Sequence, residues 1–474
     1  MKTPEPGMSA RADILITGGK AVIPGQKTAP ADILVSKGRI TAVLPCGKAD
    51  PAKARRIINA GGKIVLPGVI DPHVHFLLPM GKVTTSDDFL SGSRAAIAGG
   101  TTTVINYTTQ GPGVPLEQAL EERLSAARNN HYCDFGLHAV IPSWKKLANP
   151  EKQMRRLLTL GVPSFKMFMI YAERGLQADD ADIFSALEVS KKTGALVCLH
   201  AESDAVMNML VARYRNKGMG AYAHALSRPD YTEWEAVQRA LVWAEATGGH
   251  VYFVHQSAGR SARLIAEARK RGVRVTGETC PQYLTLDDSI FKKPQGHLYA
   301  SCPQVKKKMD STLLWQELKN GGISIIGTDH CAFTRKQKDG WGGDITRIPF
   351  GLPGVETALP LLYTEGVLKG RITLERMVEV MSENPAKVHG LYPRKGAIRK
   401  GADADLVIID PKASKKVSYA RMQTACDWSP YEGRSLSGFP ETVLLRGQTI
   451  VENGRVLDRK PEGIFLKRGK PQTI

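Results

Sequence analysis

Four histidines, one lysine and one aspartate close apolar runs in an order that suits a two-metal hydrolase. They are His73, His75, Lys166, His200, His255 and Asp329. The sharpest segment is Gly68-Val69-Ile70-Asp71-Pro72-His73-Val74-His75. Side chains of a strand alternate faces, so histidines at i and i+2 project together. Neutral imidazole is the commonest protein ligand for zinc-type cations, so this pair amounts to half a metal site. Two histidines on the polar face of an ordinary strand would be the bland alternative. It leaves unexplained why the later residues fall where a barrel would deliver them.

Lys166 stands between Phe165 and Met167 in an apolar run, Ser164 to Met169. An unpaired ammonium in a buried strand is costly. Either a nearby carboxylate pairs with it, or its amine is carboxylated by carbon dioxide. The second state is a bidentate anion able to bridge two divalent cations.

The elements that must position these residues alternate strand and helix. Candidate strands end near Ile70, Ile105, Val140, Met169, Leu199, Val254, Gly277 and Gly327. Helical patterns lie between them, as from Leu116 to Asn129 and from Trp234 to Thr247, where Val237, Leu241 and Ala244 mark one apolar face. Eight such units over about 300 residues is the count for a (β/α)8 barrel, whose active site lies at the carboxyl ends of its strands. A doubly wound open sheet is the alternative, but no Gly-x-Gly-x-x-Gly follows the first strand. Short strand patterns at both chain ends (Asp13–Thr17, Ala31–Val35, Gly401–Asp410, Thr442–Gly447) predict a small β-sandwich built from both termini. The expected division is residues 1–66 and 389–474 for that sandwich and tail, and 67–388 for the barrel.

Several motifs together resemble the hydantoinase/dihydropyrimidinase group of the cyclic amidohydrolases, within the amidohydrolase superfamily. They are Asp71-Pro72-His73-Val74-His75, Ser86-Asp87-Asp88-Phe89, Ser164-Phe165-Lys166-Met167-Phe168-Met169, His200-Ala201-Glu202 and Gly277-Glu278-Thr279-Cys280-Pro281-Gln282-Tyr283-Leu284. Asp329-His330-Cys331, Gly354-Val355-Glu356 and Asn384-Pro385-Ala386-Lys387 complete the set. The resemblance covers nearly the whole chain. It implies that His73, His75 and Asp329 hold one metal, His200 and His255 the other, and N6-carboxylated Lys166 bridges both. It implies two divalent ions, zinc first, with manganese or cobalt next. Two close cations lower the pKa of a bridging water, giving hydroxide near neutral pH to attack the carbonyl carbon of a cyclic amide. Asp329 would carry the proton to the leaving nitrogen. Tyr171 matches the group's tyrosine that steadies the developing oxyanion. His138, His224 and His330 are not expected to be ligands.

The substrate loops depart from the group. Its Ser-Pro-Pro-Leu-Arg reads Cys302-Pro303-Gln304-Val305-Lys306 here, and its Ile-Pro-Asn-Gly reads Ile348-Pro349-Phe350-Gly351. Cys302 and Phe350 are therefore the substrate-facing positions that differ. Phe76-Leu77 follows His-x-His where dihydroorotases carry an arginine, and the surroundings of Leu78-Pro79-Met80 fit allantoinases less well. Opening of hydantoin or dihydropyrimidine rings to N-carbamoyl amino acids is the main expectation. Another cyclic amidohydrolase (an allantoinase, cyclic imidase or dihydroorotase-like enzyme) is the alternative. A non-catalytic scaffold relative would have lost metal ligands, and all six positions are kept.

Bulk properties bound the rest. The formal charge is 65 − 46 = +19, with basic clusters at Lys306-Lys307-Lys308, Arg394-Lys395 and Lys415-Lys416. No nucleic-acid motif accompanies them, so the charge is read as surface character without a nucleic-acid partner. No run reaches the roughly 18 apolar residues of a membrane span. Met1 to Gly7 lacks a leader's apolar core, and seven cysteines without regular spacing suit a reducing compartment, so the expectation is cytoplasmic. The resemblance implies a homo-oligomer, tetramer or dimer, and the polar tail Lys467-Arg468-Gly469-Lys470-Pro471 is a segment that could reach a neighbour.

Overall fold

The structure is a computed structural model that describes residues 11–474 apart from residue 216. The leader reading of Met1 to Gly7 lies outside the described residues.

Buried apolar runs form eight strands: Val69–Asp71, Thr101–Tyr107, Asp134–Val140, Ser164–Phe168, Leu196–His200, His250–Phe253, Val275–Thr279 and Ile325–Ile326. They pair in chain order and every pairing is parallel. The first and last are joined by a parallel bridge between Val74 and His330, with the His75 N–H donating to the His330 carbonyl at 2.8 Å. This is the (β/α)8 barrel the alternation predicts, with strands buried on both faces because helices cover them.

The helices start and stop for local reasons. Asp88 and Asp179 each close a capping box before Phe89–Ala98 and Asp180–Thr193. The two helices anticipated from periodicity run Leu116–Ala127 and Tyr231–Thr247, the latter ended by Gly248 at φ 69°. Val237, Ala240, Leu241 and Ala244 from the second pack with Val197, Val251 and Ile265 in one buried cluster.

Strands from both chain ends join in one nine-stranded sheet, with Leu406–Ile409 pairing antiparallel to Ile64–Pro67 as the seam. Ile14, Ile16, Ile33, Val35, Ile40, Leu406 and Leu444 fill its core. A buried ion cluster ties this domain to the base of the barrel. Lys395 Nζ lies 2.6 Å from Asp134, 2.6 Å from Asp405 and 3.1 Å from Asp403, and Arg446 also binds Asp134.

Two readings of the basic residues change. Lys306 and Lys395 are buried, not surface charges. Lys306 donates to the Arg228 carbonyl at 2.8 Å, and Lys395 is neutralised by its carboxylate cage. The tail also turns inward: Arg468 is buried against Leu137 and Ser164 of its own barrel, and Gly469 and Gln472 bond to Gly390 and Lys387.

Candidate active site

Each of the six sequence-predicted residues lies in a barrel strand or just past its carboxyl end, and the barrel brings them together. The rings of His73 and His75 are 5.2 Å apart, those of His73 and His255 5.1 Å, and those of His200 and His255 4.5 Å. Asp329 Oδ1 sits 3.1 Å from His75 Nε2 and 3.3 Å from His73 Nε2. Lys166 pairs in register with Cys198, and its amine lies 5.1 Å from the ring centre of Phe168 and 5.6 Å from that of Tyr107.

Burial decides the charge states. It pushes the imidazoles of His73, His200 and His255 below their ordinary pKa, so they are neutral donors at pH 7. It lowers the Lys166 amine to about 8, against the pull of Cys198, Asp329 and Glu278. Burial also pushes the Asp329 carboxyl up, but His73, His75 and Lys166 outweigh it and hold it below the usual carboxylate value.

Glu278 was not singled out by sequence reasoning, although it lies in the motif Gly277 to Leu284. Its Oε1 is 2.7 Å from His73 Nδ1 and accepts the His255 backbone N–H at 2.8 Å, while Oε2 accepts the Tyr252 hydroxyl. Burial raises its carboxyl to about 7. Glu202 plays a parallel part, with Oε2 2.7 Å from His200 Nε2. Burial raises its carboxyl, yet His200, Lys306 and Arg228 bring it down to about 2. The one charged residue in the otherwise uncharged barrel strand Val275–Thr279 is the signal that could have marked Glu278.

These contacts bear on whether the residues suit metal ions. A carboxylate on Nδ1 fixes the His73 tautomer and leaves Nε2 as a lone pair, the arrangement of metal-ligating histidines. His73 Nε2, His75 Nδ1 and His255 Nδ1 are buried and have no hydrogen-bond partner among the described residues. Donor atoms of His73, His75 and Asp329 lie within 4.8 Å of one another, as do those of His200, Glu202 and Cys302. Neutral imidazoles with carboxylates fit a zinc-type cation.

Tyr171, His255 and Asp329 all take left-handed backbone, at φ 72°, 42° and 51°. Such conformations are strained for non-glycine residues and cluster at functional sites. Tyr171 is half-buried, its ring 5.7 Å from that of His200. Burial raises its phenol pKa, keeping the hydroxyl as a donor. Cys302 Sγ lies 3.4 Å from Glu202 Oε2, and burial lifts the thiol to about 12. Phe350 packs on the His224 ring at 4.8 Å and under the Arg228 guanidinium at 4.8 Å.

The three histidines set aside as ligands in the sequence have structural partners. His138 lies between Pro72 O and Ser164 Oγ, His224 meets Ser301 O, and His330 joins Asp87 to the amides of Gly354 and Val355.

A barrel with neutral histidines, a lysine and an aspartate converging at its carboxyl end has the build of a metal-dependent barrel hydrolase. Comparison with known proteins supplies the family. Residues 64–450 match the amidohydrolase family, and the chain belongs to it. It is 39% identical to the D-hydantoinase of Geobacillus stearothermophilus over 446 residues, 93% of each chain. The solved D-hydantoinase of Bacillus sp. AR9 superposes with a TM-score of 0.92 at 37% identity, covering 97% of this chain and all of that one. The dihydropyrimidinase of Brevibacillus agri NCHU1002 also gives 0.92, at 35% identity, over 97% and 99% of the two chains.

Proposed function

We propose that this chain opens the cyclic amide bond of hydantoins or dihydropyrimidines to give N-carbamoyl amino acids. What carries the reading is the convergence of His73, His75, His200, His255, Asp329 and Lys166 in a chain similar over nearly its full length to D-hydantoinases. His73, His75 and Asp329 would hold one cation and His200 and His255 the second, with carboxylated Lys166 between them. Two divalent ions, zinc before manganese or cobalt, would supply a nucleophile from water at neutral pH and polarise the scissile carbonyl.

The chain's own residues do the remaining work. Asp329, held ionised by its histidines, accepts the proton released as water adds to the carbonyl carbon, and returns it to the ring nitrogen as the C–N bond breaks. Tyr171 keeps its proton and donates a hydrogen bond to the carbonyl oxygen as negative charge gathers there. Glu278 and Glu202 hold the imidazoles in one tautomer and orientation. Cys302 and Phe350 border the ring substituent. The reading carries with it residence in the cytoplasm and a homo-oligomer of two or four chains. Among the described residues no helix is long and apolar enough to cross a membrane.

The test is ring opening of dihydrouracil, hydantoin and 5-phenylhydantoin by purified protein, alongside metal analysis. Turnover with about two metals per chain, lost on Lys166→Ala or with a chelator and restored by zinc after chelation, is expected. Two metals without turnover of any ring would move the substrate elsewhere. No metal and no turnover, even with zinc and bicarbonate supplied, would favour a scaffold.

A further inference from the structure

The loop after the fourth barrel strand carries a cation that the ring-opening chemistry does not use. Tyr171 at φ 72° and Gly175 at φ 67° bracket a single turn, Ala172–Arg174. The turn is braced from several sides. The Asp204 carboxylate accepts the Tyr171 N–H at 3.0 Å, the Arg174 N–H donates to the Tyr171 carbonyl at 3.0 Å, and the Ala178 N–H donates to the Phe168 carbonyl at 2.8 Å.

This geometry folds Arg174 back over the site. Its guanidinium carbon is 4.6 Å from the centre of the Tyr171 ring, which itself faces His200.

Its charge is not spent on a strong partner. Among the described residues its one ion-pair contact is Glu173 at 3.6 Å, with the side chains 42% and 60% exposed. An exposed pair of that kind contributes roughly 0–1 kcal/mol and is readily exchanged. The buried carboxylate of Glu202 is already engaged by His200 and Cys302. The buried Arg228 lies over Phe350, and among the described residues its Nε has no partner, so a second guanidinium sits beside a proposed substrate-facing residue.

We propose that Arg174 selects cyclic amides whose ring substituent ends in a carboxylate, gripping that group at the mouth while the ring lies over the histidine cluster. A guanidinium offers a carboxylate two parallel N–H donors, and that match distinguishes it from a neutral group of equal size. The assignment rests on the ring-opening reading above.

The experiment compares kcat/KM for 5-(2-carboxyethyl)hydantoin and its neutral amide, 5-(2-carbamoylethyl)hydantoin, on the metal-loaded full chain. The wild type is expected to favour the carboxylate. Arg174→Gln is expected to lower the carboxylate-to-amide ratio about tenfold, chiefly through KM, with Arg174→Lys intermediate. Added salt should lower the wild-type ratio. Any disturbance of Tyr171 by the substitution would slow both compounds and cancel in the ratio. A ratio that is the same in wild type and Arg174→Gln, or a wild type that prefers the amide, overturns the assignment. A metal-replete wild type that opens no hydantoin or dihydropyrimidine overturns the ring-opening reading itself, a visibly different outcome.

Discussion

The Nδ1 of His73 lies 2.7 Å from Oε1 of Glu278, and that same oxygen accepts the backbone N–H of His255 at 2.8 Å. One solvent-free carboxyl group thus orients a residue from each half of the proposed metal site. Glu278→Ala should weaken metal binding about 10–100-fold, because outer carboxylates fix the tautomer and basicity of ligating imidazoles. Competition with a chromophoric chelator measures this. A variant that holds its metal as tightly as the wild type would show that the contact serves packing alone.

Tyr171 is placed by backbone strain and by Asp204, and burial keeps its phenol protonated. Tyr171→Phe removes only the hydroxyl. Loss of one oxyanion donor lowers kcat by about 10²–10³, so that fall is expected with metal content held at the wild-type level. Unchanged kcat would end the oxyanion role.

The barrel and the six clustered residues were legible because both leave periodic or positional marks. A buried strand such as Val251 to Val254 reads as an apolar run, and a histidine closing it stands out. Strands Arg39–Pro45 and Ala54–Asn59 were not legible, since most of their residues are partly or fully exposed and present no buried alternation. Glu278 and Glu202 escaped for another reason. Each orients a histidine from within its own motif, and a supporting carboxylate has no spacing rule of its own. Lys306 and Lys395 were misread as surface residues because the oxygens that satisfy them come from distant parts of the chain.

The Lys395 cage makes a stability prediction. Its ammonium is enclosed by Asp134 of the barrel and by Asp403 and Asp405 of the small domain, and those carboxylates raise its pKa against the effect of burial. Lys395→Ala leaves three carboxylates crowded together, with Arg446 on Asp134 and the more exposed Arg394 and Arg39 on Asp403 as the remaining cations. Removing one partner of a buried ionic group costs about 3–5 kcal/mol, so a lower denaturation midpoint is expected. Adding Asp405→Asn should recover part of the loss, and a double variant no more stable than Lys395→Ala would argue against charge crowding as the cause.

Lys338 gives the opposite case, a buried amine with no carboxylate partner among the described residues. Its Nζ donates to the carbonyls of Ala300 and Pro349, each at 3.0 Å, and burial lowers its pKa from 10.5 to about 7. Below pH 7 the amine is charged in both folded and unfolded chains. Between about 7 and 10.5 the unfolded chain binds the extra proton, so Lys338 makes stability rise with pH across that window. The rise is on the order of 1 kcal/mol per pH unit. Lys338→Met abolishes that slope while leaving two carbonyls unpaired, a cost of about 1–3 kcal/mol per group that does not depend on pH. The stability of the wild type relative to Lys338→Met should therefore increase steadily from pH 7 to 10, as read by denaturant midpoints at each pH. A difference that stays flat over that range would mean that Lys338 keeps its charge in the folded protein.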